Sequence, residues 1–265
     1  MAGDSVVVSA LSGEANSAAG RSAGLVTVLV ACCGQLEYTR LCVPSLLRHS
    51  RMPYELLFLD SESLDGTVEY LDGVSATAGV RVEVVRTATE PLPNAARKED
   101  NIAIRGEFLV LLHNDTIVTE GWLESLARLA ASSAEIGMVA PMSNQAGAAL
   151  RVDPIPYGLE LPARDGEGRI GKSVLLVEME KVNAFAQNWR QRNLGQSFEP
   201  DSIAGPCALL KREVLQKVGT YPTRTPLGTF DLETLSSRVR QAGYRLAVCK
   251  EAYLHHFASR VGYRR

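Results

Sequence analysis

The chain has 265 residues, 46% of them hydrophobic and 22% charged, and a formal net charge of −2. This is globular composition with enough apolar material for a sizeable core. Lys and Arg are scattered rather than gathered into a basic stripe, which argues against nucleic acid as a partner. No apolar run reaches the roughly 18–20 residues of a membrane span. The N-terminus also lacks the basic segment and apolar core of a secretory signal.

The cysteines number five. With an odd count, no CxxC pair, and Cys32 beside Cys33, a reduced, cytoplasmic protein is the simplest expectation.

Residues 1–24 are rich in Ala, Ser and Gly without a period and read as a mobile tail. LVTVLVA, 25–31, is a β-branched run suited to a buried strand. YTRLCVPSLLRH follows, with Leu41, Ser45 and His49 on one helical face. An interior proline costs about 3 kcal/mol, so Pro44 predicts a kink or a restart. YELLFLD, 54–60, is a second strand, and TVEYLDGV a short helix ending at Gly73. VRVEVVR, 80–86, alternates as a strand. NAARKEDNIAIRG, 94–106, reads as a helix stopped by Gly106.

EFLVLLH, 107–113, is a fourth strand. Thr119 is expected to cap a helix whose Trp122, Leu123, Leu126 and Leu129 share a face. IGMVAPM, 136–142, is another strand. Residues 143–173 are loop-like, with Pro154, Pro156 and Pro162. Val182, Phe185, Ala186 and Trp189 then mark a helical stripe. SIAGPCALLKR, 202–212, reads as a strand entering a short helix that ends at Gly219. DLETLSSRVRQAGY, 231–244, is an amphipathic helix closed by Gly243, and RLAVCKEAYLHHF ends the fold as a strand with a histidine pair. Strands alternating with helices at this spacing imply an α/β fold with a mostly parallel, Rossmann-like sheet flanked by helices. Ligands of such sheets bind beyond the carboxyl ends of the strands.

Asp60 and Asp115 both fall at such ends. Asp115 follows a buried run, with His113 two residues back, and a carboxylate there suits Mg²⁺ or Mn²⁺. The alternative is a polar turn in which Asn114 or Asp115 satisfies local backbone. Asp60 opens LDSESLDGT, where Asp65, Gly66 and Thr67 form a turn feeding a helix. Of His255 and His256, one faces inward and the other outward in a strand, and a neutral imidazole on the ligand side could join Asp115. Asp231 and Glu233 begin a helix, where the dipole favours carboxylates; either could also serve as a general base. Trp122 and Trp189 are sugar-stacking candidates whose helical spacing favours the core.

In order along the chain, these segments resemble an inverting family 2 glycosyltransferase of the GT-A fold, from about residue 25 to 260. LDSESLDGTVEYL is similar to the VDNGSTDGT stretch of that family, and NAARKEDNIAIRGEFLVLLHNDTIVTEGWLE to its helix, strand and DxD segment. IAGPCALLKREVLQKVG resembles the acceptor-side strand and helix, DLETLSSRVRQAGY the ED region, and LHHF the terminal histidine segment.

The resemblance implies one domain over 25–265, with a nucleotide-sugar-binding half (25–142) and an acceptor-binding half (143–265). It implies donor-binding roles for Ala31, Cys33, Asp60, Arg97, Asn114 and Asp115. Asp115, with His255 or His256, would hold Mn²⁺ or Mg²⁺, and Asp231 or Glu233 would be the base. The implied partners are a nucleotide-diphosphate sugar and a glycan, lipid-linked or protein acceptor. The setting would be polysaccharide or glycoconjugate biosynthesis, in the cytoplasm or peripheral to the inner membrane face.

The pattern departs from the family in three places. Cys32, Cys33 and Gly34 replace a TYN sequence, and His113 replaces the first acid of DxD. Leu232 falls on the acid expected to be the base. The alternative is therefore a weak or inactive GT-A protein that binds nucleotide or sugar. A nucleotidyltransferase ranks last, because ACCGQLEY offers a single Gly and no Lys or Arg to hold a triphosphate.

Overall fold

The computed structural model describes residues 7–8, 24–87, 104–159, 172–218, 221–222 and 230–258. A nine-stranded sheet forms the centre, in the order β4-β3-β2-β5-β9-β7-β11-β6, with β8 also pairing to β11. Its N-terminal half holds β2 (Val26–Cys32), β3 (Tyr54–Ser61), β4 (Val82–Thr87) and β5 (Phe108–His113), all mutually parallel. These are the apolar runs read from the sequence, and β2 is buried along its whole length.

The other half is mixed rather than mostly parallel. β9 (Cys207–Lys211) runs antiparallel between β5 and β7 (Ile136–Ser143). β11 (Arg245–His256) lies parallel to β7, and antiparallel to β8 (Ser197–Phe198) and β6 (Thr116–Val118). Outside the main sheet, β1 (Val7–Val8) pairs antiparallel with β10 (Tyr221–Pro222), so the segment expected to be a mobile tail contributes a short strand that its sequence pattern does not announce.

Alternation along the strands sends side chains to two cores, one on each face. Val28, Val30, Phe58, Val110 and Leu112 pack on one side with Leu46, Trp122 and Leu126. Leu29, Leu57, Leu109 and Leu111 pack on the other with Val182, Leu235 and Tyr253. Helices α1 (Leu36–His49), α2 (Thr67–Thr77), α3 (Trp122–Ala131), α4 (Lys172–Arg192), α5 (Arg212–Val218) and α6 (Leu232–Gln241) accompany the sheet.

Several local expectations need correction. α1 runs through Pro44 as one helix; Pro44 is on its exposed face, where water can reach the carbonyl that the missing amide leaves over. α2 passes Gly73 and continues to Thr77, since a glycine in a helix interior costs only about 1 kcal/mol. Thr119 does not cap α3: its hydroxyl donates to the Tyr253 carbonyl (2.6 Å), and Gly121 is the N-cap at φ 74°. Most of the helix expected over 94–106 lies outside the described residues, whereas 104–106 are not helical.

Gly106 serves close packing rather than helix termination. A Cβ there would come within 2.5 Å of both the Phe108 carbonyl oxygen and the Thr27 amide. All five cysteines are free thiols. No helix among the described residues is long and apolar enough to cross a membrane.

Candidate cation and donor site

β5 ends at His113 and the chain turns through Asn114 and Asp115 into β6. The end of β11 then lies antiparallel to β6, with His256 opposite Thr116 and His255 opposite Ile117. This pairing brings a residue more than a hundred positions away to Asp115. The Phe257 amide donates to the Asp115 carbonyl (3.0 Å), and His256 Nε2 lies 3.2 Å from Asp115 Oδ1. One ligand atom from each of His113, Asp115 and His256 lies within 4.8 Å of the others. Donors bound to one ion at about 2.1 Å stand at most about 4.2 Å apart. Three donors around one ion cannot all reach that limit together, so the group has to close by up to about 1 Å to hold one.

His256 is held firmly. Its amide donates to Asn144 Oδ1 (2.7 Å), its carbonyl accepts from Asn144 Nδ2 (3.0 Å), and Nδ1 faces the Gln145 carbonyl at 2.9 Å. Burial disfavours its charge, but the Asp115 carboxylate and the Gln145 carbonyl outweigh this and raise its pKa. Each ring nitrogen thus faces an oxygen, Nδ1 the Gln145 carbonyl and Nε2 the Asp115 carboxylate.

His113 lies between the Phe230 ring (centroids 6.0 Å) and the His256 ring (5.6 Å). Its Nε2 is buried without a hydrogen-bond partner. Burial, against the pull of Asp115 and with some help from His256, lowers its pKa to about 4.

Of the two neighbouring histidines, only His256 joins the cluster. His255 was expected as a metal-ligand candidate, but in a strand its side chain takes the opposite face. Its Nδ1 lies 3.2 Å from the Tyr157 hydroxyl, which in turn bonds the Tyr253 hydroxyl. Burial pushes its pKa down to about 4. Trp122 is fully buried in the core with Nε1 donating to Ser50 Oγ (3.3 Å), whereas Trp189 is half-buried, donates from Nε1 to the Lys250 carbonyl (2.6 Å) and lines a cavity with Tyr157 and Phe185.

Beside the cluster are the ends of β2 and β3. Ala31 pairs with His113 and Cys32 with Asp60, so Asp60 stands about two strand spacings, or roughly 10 Å, from His113. Asp60 is buried; its carboxylate accepts from the Ser63 amide (3.1 Å) and hydroxyl (2.5 Å), and Ser63 Oγ accepts from the Gly34 amide (2.6 Å).

Asp65 accepts from the Leu36 amide (2.8 Å) and from the Thr67 amide (3.2 Å) and hydroxyl (2.6 Å). It thus joins the starts of α1 and α2. Gly34 and Gln35, at φ 66° and 64°, and Glu62, at φ 51°, bend the two loops. Asn114 supports this arrangement: Nδ2 donates to the Gly34 carbonyl (3.0 Å) and Thr39 Oγ1 (2.9 Å), while its amide donates to the Ala31 carbonyl (3.3 Å). Cys33 is half-buried in the same loop. Arg97 lies outside the described residues.

On the far side of the cluster, Phe230 leads directly into Asp231, the N-cap of α6. Asp231 Oδ1 accepts from the Thr234 amide (3.0 Å). Leu232 is 3% exposed and belongs to the core, whereas Glu233 is exposed. Sequence reasoning did not single out Asn144, Gln145 or Phe230. A polar pair just after the buried strand IGMVAPM is the only signal that could have pointed to the first two.

The fold is that of GT-A glycosyltransferases: a central mixed sheet flanked by helices, with polar groups gathered at the carboxyl ends of the N-terminal strands. The family model of glycosyltransferase-like family 2 matches residues 23–261, and the chain belongs to that family. Among curated proteins it is similar to the uncharacterized protein y4gI of Sinorhizobium fredii, 25% identical over 239 residues, covering 89% of this chain and 24% of that protein. The chain thus spans about a quarter of that relative's length.

Similar solved structures include GalNAc-T7 with UDP, GalNAc and Mn²⁺ (TM-score 0.57, 16% identity, covering 88% of this chain and 44% of that one). The mannosyltransferase PcManGT of Pyrobaculum calidifontis, in complex with GDP-Man and Mn²⁺, is also similar (TM-score 0.52, 15% identity, 90% and 58%). So is residues 1–349 of TarS from S. aureus (TM-score 0.52, 11% identity, 87% and 60%). These likenesses establish the fold.

Proposed function

We propose that the protein transfers a sugar from a nucleotide-diphosphate donor to an acceptor hydroxyl, with inversion and with a divalent cation of the Mn²⁺ or Mg²⁺ type. The observation that carries this reading is the meeting of Asp115, His113 and His256 at the carboxyl end of β5 in a family 2 chain. The donor set fits a cation: it offers one carboxylate, two imidazoles, and a buried His113 Nε2 without a partner. A cation held there supplies positive charge beside a leaving diphosphate.

Ala31, Cys33 and Asp60 line the neighbouring strand ends, where the nucleoside would lie. Asn114 acts by holding the loop that carries Cys33 and Gly34. Asp231 takes the proton from the acceptor hydroxyl, which attacks the anomeric carbon from the face opposite the diphosphate. Asp231 is favoured over Glu233 because it adjoins Phe230, whose ring lies against His113. The acceptor is a glycan, lipid-linked or protein hydroxyl, and the setting is polysaccharide or glycoconjugate assembly on the cytoplasmic side of the membrane.

Leu232 favours a second reading, a binding protein that holds the donor without transferring it. Thermal melts with UDP, GDP, dTDP and CDP, each with Mn²⁺ and with EDTA, test the first reading. A ligand at 100 times its dissociation constant stabilises by about 2.7 kcal/mol. A Mn²⁺-dependent shift with one nucleotide, lost in Asp115→Ala, is expected, together with donor turnover. A shift without turnover would select the binding protein, and no shift in a folded sample would refute both.

A further inference from the structure

Helix α4 carries two adjoining stripes. Val182 and Ala186 are buried, whereas Lys181, Ala184, Asn188 and Arg192 are exposed. Phe185 and Trp189 lie on the border, both half-buried. The exposed stripe and this border line a cavity of about 450 Å³ together with Tyr157, within the roughly 300–1,000 Å³ of small-ligand sites. Ala184 keeps its middle open, because its side chain is only a methyl group.

The aromatic wall of the cavity is fixed in place. The Trp189 indole donates to the Lys250 carbonyl (2.6 Å), and its ring lies 6.0 Å from that of Phe185. Phe185 meets Tyr157 edge-on at 5.6 Å, and the Tyr157 hydroxyl bonds that of Tyr253. Rings held in this way offer apolar surface with little side-chain freedom left to lose on binding. The C–H face of a sugar ring matches such a surface, while its hydroxyls need polar partners. Asn188 supplies one: Nδ2 donates to the Ala184 carbonyl (3.0 Å), and Oδ1 remains an acceptor.

The charge of the lining is one-sided. Lys181 and Arg192 line the cavity and, among the described residues, no carboxylate does; Lys181 also pairs with Glu178, which precedes it by one turn (2.5 Å). The two cations stand about 16 Å apart along the helix axis, longer than a single sugar ring. The cavity is also tied to the cation cluster. The Tyr157 hydroxyl lies 3.2 Å from His255 Nδ1, and His256 follows directly in β11.

We propose that this cavity is an acceptor subsite for an acidic glycan, with a sugar ring against Trp189 and carboxylate or phosphate groups at Lys181 and Arg192. This rests on the transferase reading above and deepens it, because that reading leaves the chemistry of the acceptor open.

The test applies the full chain to a glycan array that carries uronate-containing, phosphosugar-containing and neutral oligosaccharides. The first two sets separate a carboxylate from a phosphate as the recognised anion. The best acidic binder and a neutral oligosaccharide of equal length are then titrated by tryptophan fluorescence. Trp189 is the reporter, since the other tryptophan, Trp122, is fully buried in the opposite core. The acidic glycan is expected to bind at least about tenfold more tightly than the neutral one, and to lose that margin as salt rises. Lys181→Gln combined with Arg192→Gln should erase the margin. Ala184→Glu, which sets a carboxylate in the middle of the stripe, should abolish binding. All three positions are exposed and receive good helix formers, and melts check that the variants fold.

No binding of any glycan, equal binding of acidic and neutral ones, or unchanged binding in Ala184→Glu would overturn the proposal. The transferase reading would then stand on the nucleotide-dependent melts of the same sample. Acidic-glycan binding by a chain that binds no nucleotide would refute the transferase, and with it the role of the cavity as an acceptor site.

Discussion

Asp65→Ala is the perturbation whose size follows most directly from the structure. Neither α1 nor α2 has a side-chain bond from its own N-cap, since these positions are Gln35 and Gly66 in left-handed conformations. Asp65 does the work for both. Its carboxylate accepts the Leu36 amide of α1 and the Thr67 amide and hydroxyl of α2. Loss of a cap costs about 0.5–2 kcal/mol per helix. Asp65 is exposed, so water replaces part of what is lost, and about 1 kcal/mol per helix is the fair figure.

The carboxylate charge at two helix N-termini adds about 0.3–1 kcal/mol. The sum, about 2–3 kcal/mol, corresponds to a fall in Tm of roughly 5–10 °C for a chain of this size. Asp65→Asn keeps one acceptor oxygen and should lose about half as much.

The same carboxylate makes the difference pH-dependent. Burial alone would raise its pKa, but the Thr67 hydroxyl and the Leu36 and Thr67 amides lower it below the usual value. Its contribution is therefore present above the unfolded carboxylate range and lost as pH falls through the lower folded value. Wild type and Asp65→Ala should converge in acid. Melting both proteins at pH 7 and in acid checks this. A difference below about 1 °C at pH 7, or one that fails to shrink in acid, would refute the double-capping account.

Three further outcomes are expected. In EDTA, stability should fall as pH drops from about 6.5 towards 4, because burial holds both His113 and His255 near pKa 4 while the unfolded rings take up protons first; each contributes up to about 3 kcal/mol. His256, its pKa raised by Asp115, works the other way, stabilising below its unfolded value and ceasing to do so as pH rises through the folded one; a pH series of urea melts that lacked the acid limb would contradict the burial of the two rings. Gly106→Ala should destabilise towards the upper end of the about 1–3 kcal/mol typical of overpacking, since the new Cβ meets backbone of Thr27, Phe108 and Leu25, and a melt within 1 °C of wild type would show that this crossing is looser than described. Leu232→Asp, which places an acid at the family's expected base position, should unfold the protein rather than activate it, with a loss of about 4 kcal/mol or more; a folded variant with raised transfer activity would show the opposite.

Much of the fold was legible because its strands are buried on both faces and read as unbroken apolar runs. β2, β3 and β5 follow from this, and Asp115 stands out as the acid that ends one such run. What pattern does not carry is direction. CALLK reads as a strand whichever way it runs, so the antiparallel entry of β9 between β5 and β7 was invisible, and a mostly parallel sheet was the natural expectation.

The histidine pair illustrates a second limit. Alternation says that His255 and His256 face opposite ways, but which one faces Asp115 depends on counting along β11. That count is broken where Cys249 pairs with Pro141 and Tyr253 with Met142, so three extra residues intervene on one strand. Asn144 and Gln145, which fix His256, become visible only once β7 and β11 are known to lie side by side.

The position of Asp231 can be argued further from the helix it begins. Leu232, Leu235, Ser236 and Val239 all face inward along α6. Ser236 is tied by its hydroxyl to the Leu232 carbonyl (2.7 Å) and receives the Ile203 amide (3.0 Å). A shift of two residues, which would carry Glu233 to the place of Asp231, would expose this apolar stripe and bury Thr234, Ser237, Arg238 and Gln241 instead. The cost of burying an unpaired charge exceeds any single interaction at the helix start, so the register of α6 is fixed by its core face. Phe230 is then fixed as well, with its ring against His113, and Asp231 follows it directly in sequence as the N-cap. The proposed role of Asp231 as the base predicts that Asp231→Asn abolishes sugar transfer in a donor-turnover assay while leaving the melt close to wild type; transfer left untouched would overturn that role.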